Sequence, residues 1–223
     1  MIVLALDTAG TDCAAALYDT ATMKILGEVT ENIGRGHAER LMAIVDLALD
    51  QAGVDISDVG RIAVTVGPGS FTGIRVGVAA ARGFALSLGV ESVGISTLEV
   101  LAAEAIDRRR REGDDDGRPI LVSIDARRGE VYLQLFSATG RPLQDASVLS
   151  VDAAREIAAS GAAEVVGSAA SLLAGNEVAT SADHFPIARV AQLAIAVKPG
   201  KPRPLYLRGP DAKPQEGFAV ARV

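Results

Sequence analysis

Two stretches of this chain repeat one pattern. "LALDTAGTDCAAALYD" (residues 4–19) and "LVSIDARRGEVYLQLF" (121–136) each run along an apolar strand to an aspartate, through a tight polar turn, and back along a second strand. Gly10 and Gly129 lie in the two turns, where positive φ is often needed. Each half of the chain therefore opens on a hairpin whose first strand delivers an aspartate, Asp7 or Asp125, to the turn. This points to two lobes begun by the same device. A lone aspartate at a strand end is most often a turn former. Two in matching places are one way to hold nucleotide phosphates across a cleft, with backbone N–H donors and carboxylates positioning a metal ion.

The remaining pattern is α/β. Strands are expected at 2–7, 13–19, 24–32, 61–67 and 91–96. Helical spacing of Leu41, Ile44, Val45, Ala48 and Leu49 predicts a helix before Gly53, and further helices cover 71–88 and 97–111. "EGDDDGRP" (112–119) has no apolar residue and marks the boundary between lobes. Beyond the second hairpin the pattern predicts a helix at 151–161, a strand, turn and short helix over 163–175, and a helix at 190–200. The expected division is a first lobe of 1–111, a smaller second lobe of 118–205, and an irregular tail of 206–223 packing back on the first lobe.

Composition narrows the function classes. The chain has 223 residues, enough for one large domain or two lobes, and 49% are apolar with no Trp. A net charge of −6 argues against a broad nucleic-acid-binding face. Cys13 is the single cysteine, so no intramolecular disulfide forms. Met1 leads directly into a strand with no basic leader, and no stretch reaches the roughly 20 apolar residues of a membrane span. The expectation is a soluble cytoplasmic protein.

"VTVGPGSFTGIRVGVAAARGFA" (64–85) raises the question of a phosphate loop. A Walker A motif would need a lysine after its last glycine, and a dinucleotide fingerprint would need a third glycine where Thr72 stands. Both fail, although Arg75, one helical turn in, could meet an anion. Ser70 or Thr72 can cap the helix. Gly73, Gly77 and Ala81 then line one helix face almost bare of side chains, suited to close packing either inside the lobe or on a partner.

These residues, with "GHAERLMAIVDLAL", "VGISTLEVLA", "DARRGEVY" and "PLYLRGPDAKP", resemble the TsaB (YeaZ) family of bacterial tRNA threonylcarbamoyladenosine biosynthesis. The resemblance implies a two-lobed fold of the actin, sugar-kinase and Hsp70 type with a reduced second lobe. It implies a non-catalytic subunit that binds and activates TsaD, the catalytic homologue. A TsaE-type ATPase and, indirectly, tRNA are further implied partners, and a homodimer is possible for the chain alone. The partner interface would comprise His37, Leu41, Ile44, Gly73, Gly77, Ala81 and Phe84. TsaD carries a metal-binding histidine pair where this chain has Thr97 and Leu101. Leucine cannot ligate and threonine is at best a weak ligand, so no metal site is expected.

Asp7, Thr8, Asp125 and Arg127 then belong to vestigial nucleotide-phosphate hairpins, with both aspartates facing solvent. Arg127 and Arg128 lie where the related fold places a phosphate, or else in a solvated turn. Gly167 is followed by Ser168 where a second glycine would complete an adenosine loop. ATP or ADP binding is accordingly expected to be weak or absent, with no cofactor. His37 and His184, far apart in sequence, read as structural or surface residues. Lys198, Lys201, Arg203, Arg208 and Lys213 cluster in the tail, leaving a direct tRNA-binding module as a third reading, while "RRRR" at 108–111 is offset by Asp114 to Asp116. The alternative to the subunit reading is an ATP-dependent kinase or transferase acting alone.

Overall fold

The computed structural model describes residues 1–114, 116–176 and 183–208. The first lobe is built on a five-stranded sheet. β1 (Ile2–Asp7), β2 (Asp12–Asp19) and β3 (Lys24–Asn32) form an antiparallel meander. β4 (Val59–Gly67) and β5 (Glu91–Ser96) extend it parallel to β1, giving the order β3-β2-β1-β4-β5. β1, β2 and the middle of β4 are Val, Ile, Leu and Ala buried on both faces, as a sheet covered by helices on each side requires. α1 (His37–Ala52) and α2 (Phe71–Leu88) lie side by side on one face. α3 (Thr97–Glu112) and α6 (Ile187–Leu193) are neighbours on the other.

The second lobe repeats this wiring in smaller form. β6 (Ile120–Arg127), β7 (Glu130–Phe136), β8 (Ser147–Ser150) and β9 (Glu164–Val166) are ordered β8-β7-β6-β9, with two antiparallel pairings and one parallel where the first lobe has two of each. Its helices are α4 (Val151–Ala158) and α5 (Ala170–Leu173), the latter four residues against eighteen in α2. This is a two-lobed α/β fold with a reduced second lobe, as the resemblance implies.

Three boundaries differ from expectation. β8, "SVLS", is too short to show a period and was not anticipated. The helix expected at 190–200 begins at Ile187, behind Pro186, and gives way to a turn after Leu193, well before Lys198-Pro199. The division at 118–205 is also wrong. After Asp183 the chain returns to the first lobe, where Ile187, Val190, Ala191 and Ala194 are buried as α6 packs on β1, β2, β3 and β4. Residues 198–208 then cross that lobe as a strap. Gly200 N–H donates to Ser92 O (3.0 Å), Leu205 N–H donates to Val66 O (2.8 Å), and Arg82 donates to Pro202 O. Residues 209–223, including Lys213, lie outside the described residues.

The arginine run at the end of α3 ties the lobes together. Arg109 is buried, and both Arg108 and Arg109 grip Glu164 on β9. Asp116 adds a weaker partner at 3.7 Å.

Candidate functional site

A cleft of ≈ 980 Å³ lies between the lobes. Both hairpin turns reach it, with Ala9, Gly10 and Thr11 from one side and Asp125 to Gly129 from the other. Gly69 and Ser70 before α2, and Ser168, Asp183 and Phe185, complete much of the wall. The two matching turns are thus brought to one cleft, but on different terms: Asp125 lines it and Asp7 does not.

The first hairpin is sealed. Asp7 Oδ1 accepts from the Ala9 N–H (3.0 Å) and from the Thr65 hydroxyl on β4 (2.5 Å). Its Oδ2 is buried and finds no partner among the described residues. Burial pushes the Asp7 carboxyl up to about 6, against the hydrogen bonds from Thr65 and Ala9. Asp7 therefore does not face solvent as expected. Thr8 is equally buried, its hydroxyl donating to Gly73 O (2.7 Å), while Ser70 N–H donates to Ala9 O (2.7 Å). Over the tip, a Cβ on Gly10 would sit 3.1 Å from Asp183 O and 3.3 Å from the Phe185 ring.

That sealing explains the small-residue face of α2. A Cβ on Gly73 would fall inside contact distance of Thr8 O, and one on Gly77 would lie 2.5 Å from Thr8 Oγ1. Gly73, Gly77 and Ala81 pack on the first turn and β4, and Leu41 and Ile44 are buried with them in the lobe's core. The assignment of these five side chains to a partner interface is corrected: the nearest backbone is the lobe's own. His37 is also buried, its Nε2–H donating to Asp12 O (3.1 Å). Phe84 alone of that set remains half-buried at the surface.

The second hairpin is open. Asp125 Oδ1 accepts from the Arg127 N–H (2.8 Å), the same two-residue reach as in the first turn, and Oδ2 pairs with the exposed Arg127 guanidinium at 2.9 Å. Arg127, Arg128 and Gly129 all adopt positive φ (64°, 57° and 75°). Ser168, where a second glycine would complete an adenosine loop, is tied down instead. Its N–H (2.7 Å) and hydroxyl both donate to Asp183, and its Oγ accepts from Asp125 N–H (3.0 Å). Burial, with a smaller push from the Asp125 charge, raises the Asp183 carboxyl above its usual value.

The two histidines, expected to stand apart from other polar ligands, meet at one residue. His184 Nδ1 lies 2.6 Å from the Asp12 carboxylate, and His37 reaches the Asp12 carbonyl. Sequence separation hid this. Among the described residues no group of three His, Cys, Asp or Glu gathers as a metal site. Thr97 is buried and its hydroxyl donates to Pro68 O (2.6 Å), which holds the GPG loop. Arg75 does not point to a free anion loop. Its guanidinium lies 3.6 Å from the centroid of Phe71, and Nε donates to the Tyr206 hydroxyl (2.8 Å).

The exposed sides of α1 and α2 carry apolar residues among the charged Glu39, Asp46, Asp50, Arg75 and Arg82. Met42 and Leu47 on α1, and Phe71 and Leu86 on α2, are exposed, Leu86 by 86%. Ala79 and Gly83 lie between, and nothing stands within 4 Å of a Cβ on Gly83. By length and composition α2 is apolar enough to cross a membrane, but Gly73, Ile74, Gly77, Val78 and Ala81 are packed in the lobe.

The sequence model of the family "TsaD: tRNA N6-adenosine threonylcarbamoyltransferase" matches residues 18–200. An uncharacterised protein of Mycobacterium tuberculosis is 36% identical over 214 residues, 95% of this chain and 94% of that protein. The Escherichia coli tRNA threonylcarbamoyladenosine biosynthesis protein TsaB is 37% identical over 132 residues. That match covers 59% of this chain and 53% of TsaB, so it spans about half of that relative's length. Among solved structures, a Pseudomonas aeruginosa protein described as similar to the peptidase YeaZ superposes with a TM-score of 0.72 at 30% identity, over 93% of this chain and 99% of its own. The chain belongs to the TsaD family, on its TsaB (YeaZ) branch.

Proposed function

We propose that this chain is a cytoplasmic, non-catalytic subunit in the synthesis of N6-threonylcarbamoyladenosine in tRNA, docking through the outer face of α1 and α2 on a TsaD-type catalytic homologue and activating it. The observation that carries this is the set of exposed residues Met42, Leu47, Ala79, Gly83 and Leu86, with half-buried Phe84, on two neighbouring helices. Taking such a surface out of water on a partner is favourable, and the bare Gly83 lets a facing helix approach closely. The same face would serve a homodimer, which then competes with the heterodimer. A TsaE-type ATPase and tRNA are met through the assembled complex.

Two features support the non-catalytic part. Leu101 has no donor atom, and the Thr97 hydroxyl is already committed to Pro68. The sealed first turn, capped by Asp183 and Phe185, supports weak or absent nucleotide binding.

The test is co-purification with the TsaD-type homologue of the same genome. Leu86→Glu should leave the melting temperature unchanged, because Leu86 packs on almost nothing. Association should fall about 30-fold, the equivalent of a 2 kcal/mol hot spot. Undiminished association would remove the interface. Isolated protein turning over ATP at about 1 per second, within the ordinary enzyme range, would remove the non-catalytic reading.

A further inference from the structure

We infer that the strap of residues 198–206, together with the start of α2, is a contact surface for single-stranded or looped RNA. Phosphates would lie on Lys198, Lys201 and Arg203, and an unpaired base on the Phe71–Tyr206 pair. The identity of the RNA rests on the tRNA-modification reading above; the surface itself does not.

The first observation is charge left unanswered. Lys198, Lys201 and Arg203 are exposed and have no ion-pair or hydrogen-bond partner among the described residues. This stands out in a chain of net charge −6, where most cations nearby are engaged. Arg82 holds Pro202 O, Arg61 holds Glu91 (2.9 Å), and Arg208 binds Glu130 and the second hairpin's carbonyls. Backbone hydrogen bonds to Ser92 and Val66 lay the strap flat on the lobe, so its cations are presented from an anchored segment.

The second observation is aromatic. Phe71 and Tyr206 are 56% and 49% exposed, with ring centroids 5.6 Å apart. Arg75 links them, its guanidinium over Phe71 and its Nε bonded to the Tyr206 hydroxyl. The chain has only 5 Phe and 3 Tyr, and two of these rings are about half-exposed, Tyr206 lying on the strap after Arg203. Cations that track a backbone, interleaved with rings on which bases stack, are the requirements for binding unpaired nucleic acid. A protein partner is less well suited, because the strap buries Pro202 and leaves Lys198, Lys201 and Arg203 exposed.

The test uses the full chain and a labelled tRNA transcript, read by fluorescence anisotropy across a salt series. Wild type should bind at low salt, with a log–log salt slope of about −2 if three phosphates of a single strand are neutralised. Lys198→Glu combined with Lys201→Glu and Arg203→Glu should flatten that slope and abolish binding. Tyr206→Ala should weaken binding about 5- to 150-fold at an unchanged slope, the effect of losing one stacked base. Arg110→Glu with Arg111→Glu, exposed cations at the end of α3, serves as the control and should change binding far less. No wild-type binding, or equal losses in the strap and control variants, overturns the inference. Association with the TsaD-type homologue is measured on the same variants. If that falls while RNA binding stays, the strap is a protein-docking element and the RNA surface is rejected. If RNA binding falls while association stays, the surface is supported; failure of the docking face itself would appear only in Leu86→Glu.

Discussion

The two hairpins are alike in wiring and opposite in environment. Asp7 and Asp125 each accept a hydrogen bond from the N–H two residues on, at 3.0 and 2.8 Å. Around the first, an eighteen-residue α2 and its GPG loop close over the turn, and Thr8, Gly69 and Gly73 interlock with no space for a side chain. Around the second, the corresponding α5 has four residues and buries Leu173 in its own lobe's core, while Arg127 and Arg128 stay exposed. A motif repeated in sequence thus becomes a core element in one lobe and a surface element in the other. The length of the following helix decides which.

The comparison is broken most directly by adding one methyl against the first turn and one in the second. Gly73→Ala should cost about 3 kcal/mol or more in urea denaturation, at the top of the overpacking range, because the obstacle is the Thr8 backbone. Gly129→Ala meets nothing within 4 Å and should cost only about 1 kcal/mol, for its left-handed φ. Equal losses would erase the distinction between sealed and open turns.

A second test uses pH. Asp7 is raised from 3.8 to about 6 in the folded protein. Between those values the native state holds a proton that the unfolded chain has released, so stability falls as pH rises from about 4 to 6. About two pKa units set an upper bound of about 3 kcal/mol on this contribution. Asp7→Asn should remove that slope from a series of melts, and Asp125→Asn should leave it. A slope unchanged in Asp7→Asn would place the titration elsewhere.

Coupling between the lobes should be the next largest effect. Glu164→Ala strands the buried Arg109. Breaking a buried pair costs about 3–5 kcal/mol, but Glu164 is 21% and Arg108 43% exposed, so about 2 kcal/mol is expected. Arg109→Met in the same background should recover part of it. The smallest effect belongs to Asp125→Ala, which removes a solvent-side turn bond and should cost about 1 kcal/mol or less. A larger loss would mean that the second turn also supports its lobe.

Much of this was legible in the residues. The paired hairpins, their strand ends at Asp7 and at the 125–127 turn, and the helix capped by Ser70 and stopped at Gly89 follow from local patterns of apolar spacing, turn chemistry and glycine. The missed features are all non-local. β8 is four residues with no period, and the return of α6 to the first sheet depends on where an uncovered apolar face lay. The meeting of His37 and His184 at Asp12, and of Arg75 with Tyr206, joins positions separated by most of the chain.

The sequence by itself determined that there are two α/β lobes and that each begins with an aspartate-tipped hairpin. Those properties are carried by residue type and short-range spacing, which steric and hydrogen-bonding preferences read one segment at a time. Only the tertiary structure decided which way the Gly73, Gly77 and Ala81 face turns, since a bare helix face fits the backbone of its own lobe as well as that of a partner. It decided this by bringing the first turn within reach of that face, so that contact with Thr8 took the position and the opposite side of α2 was left exposed.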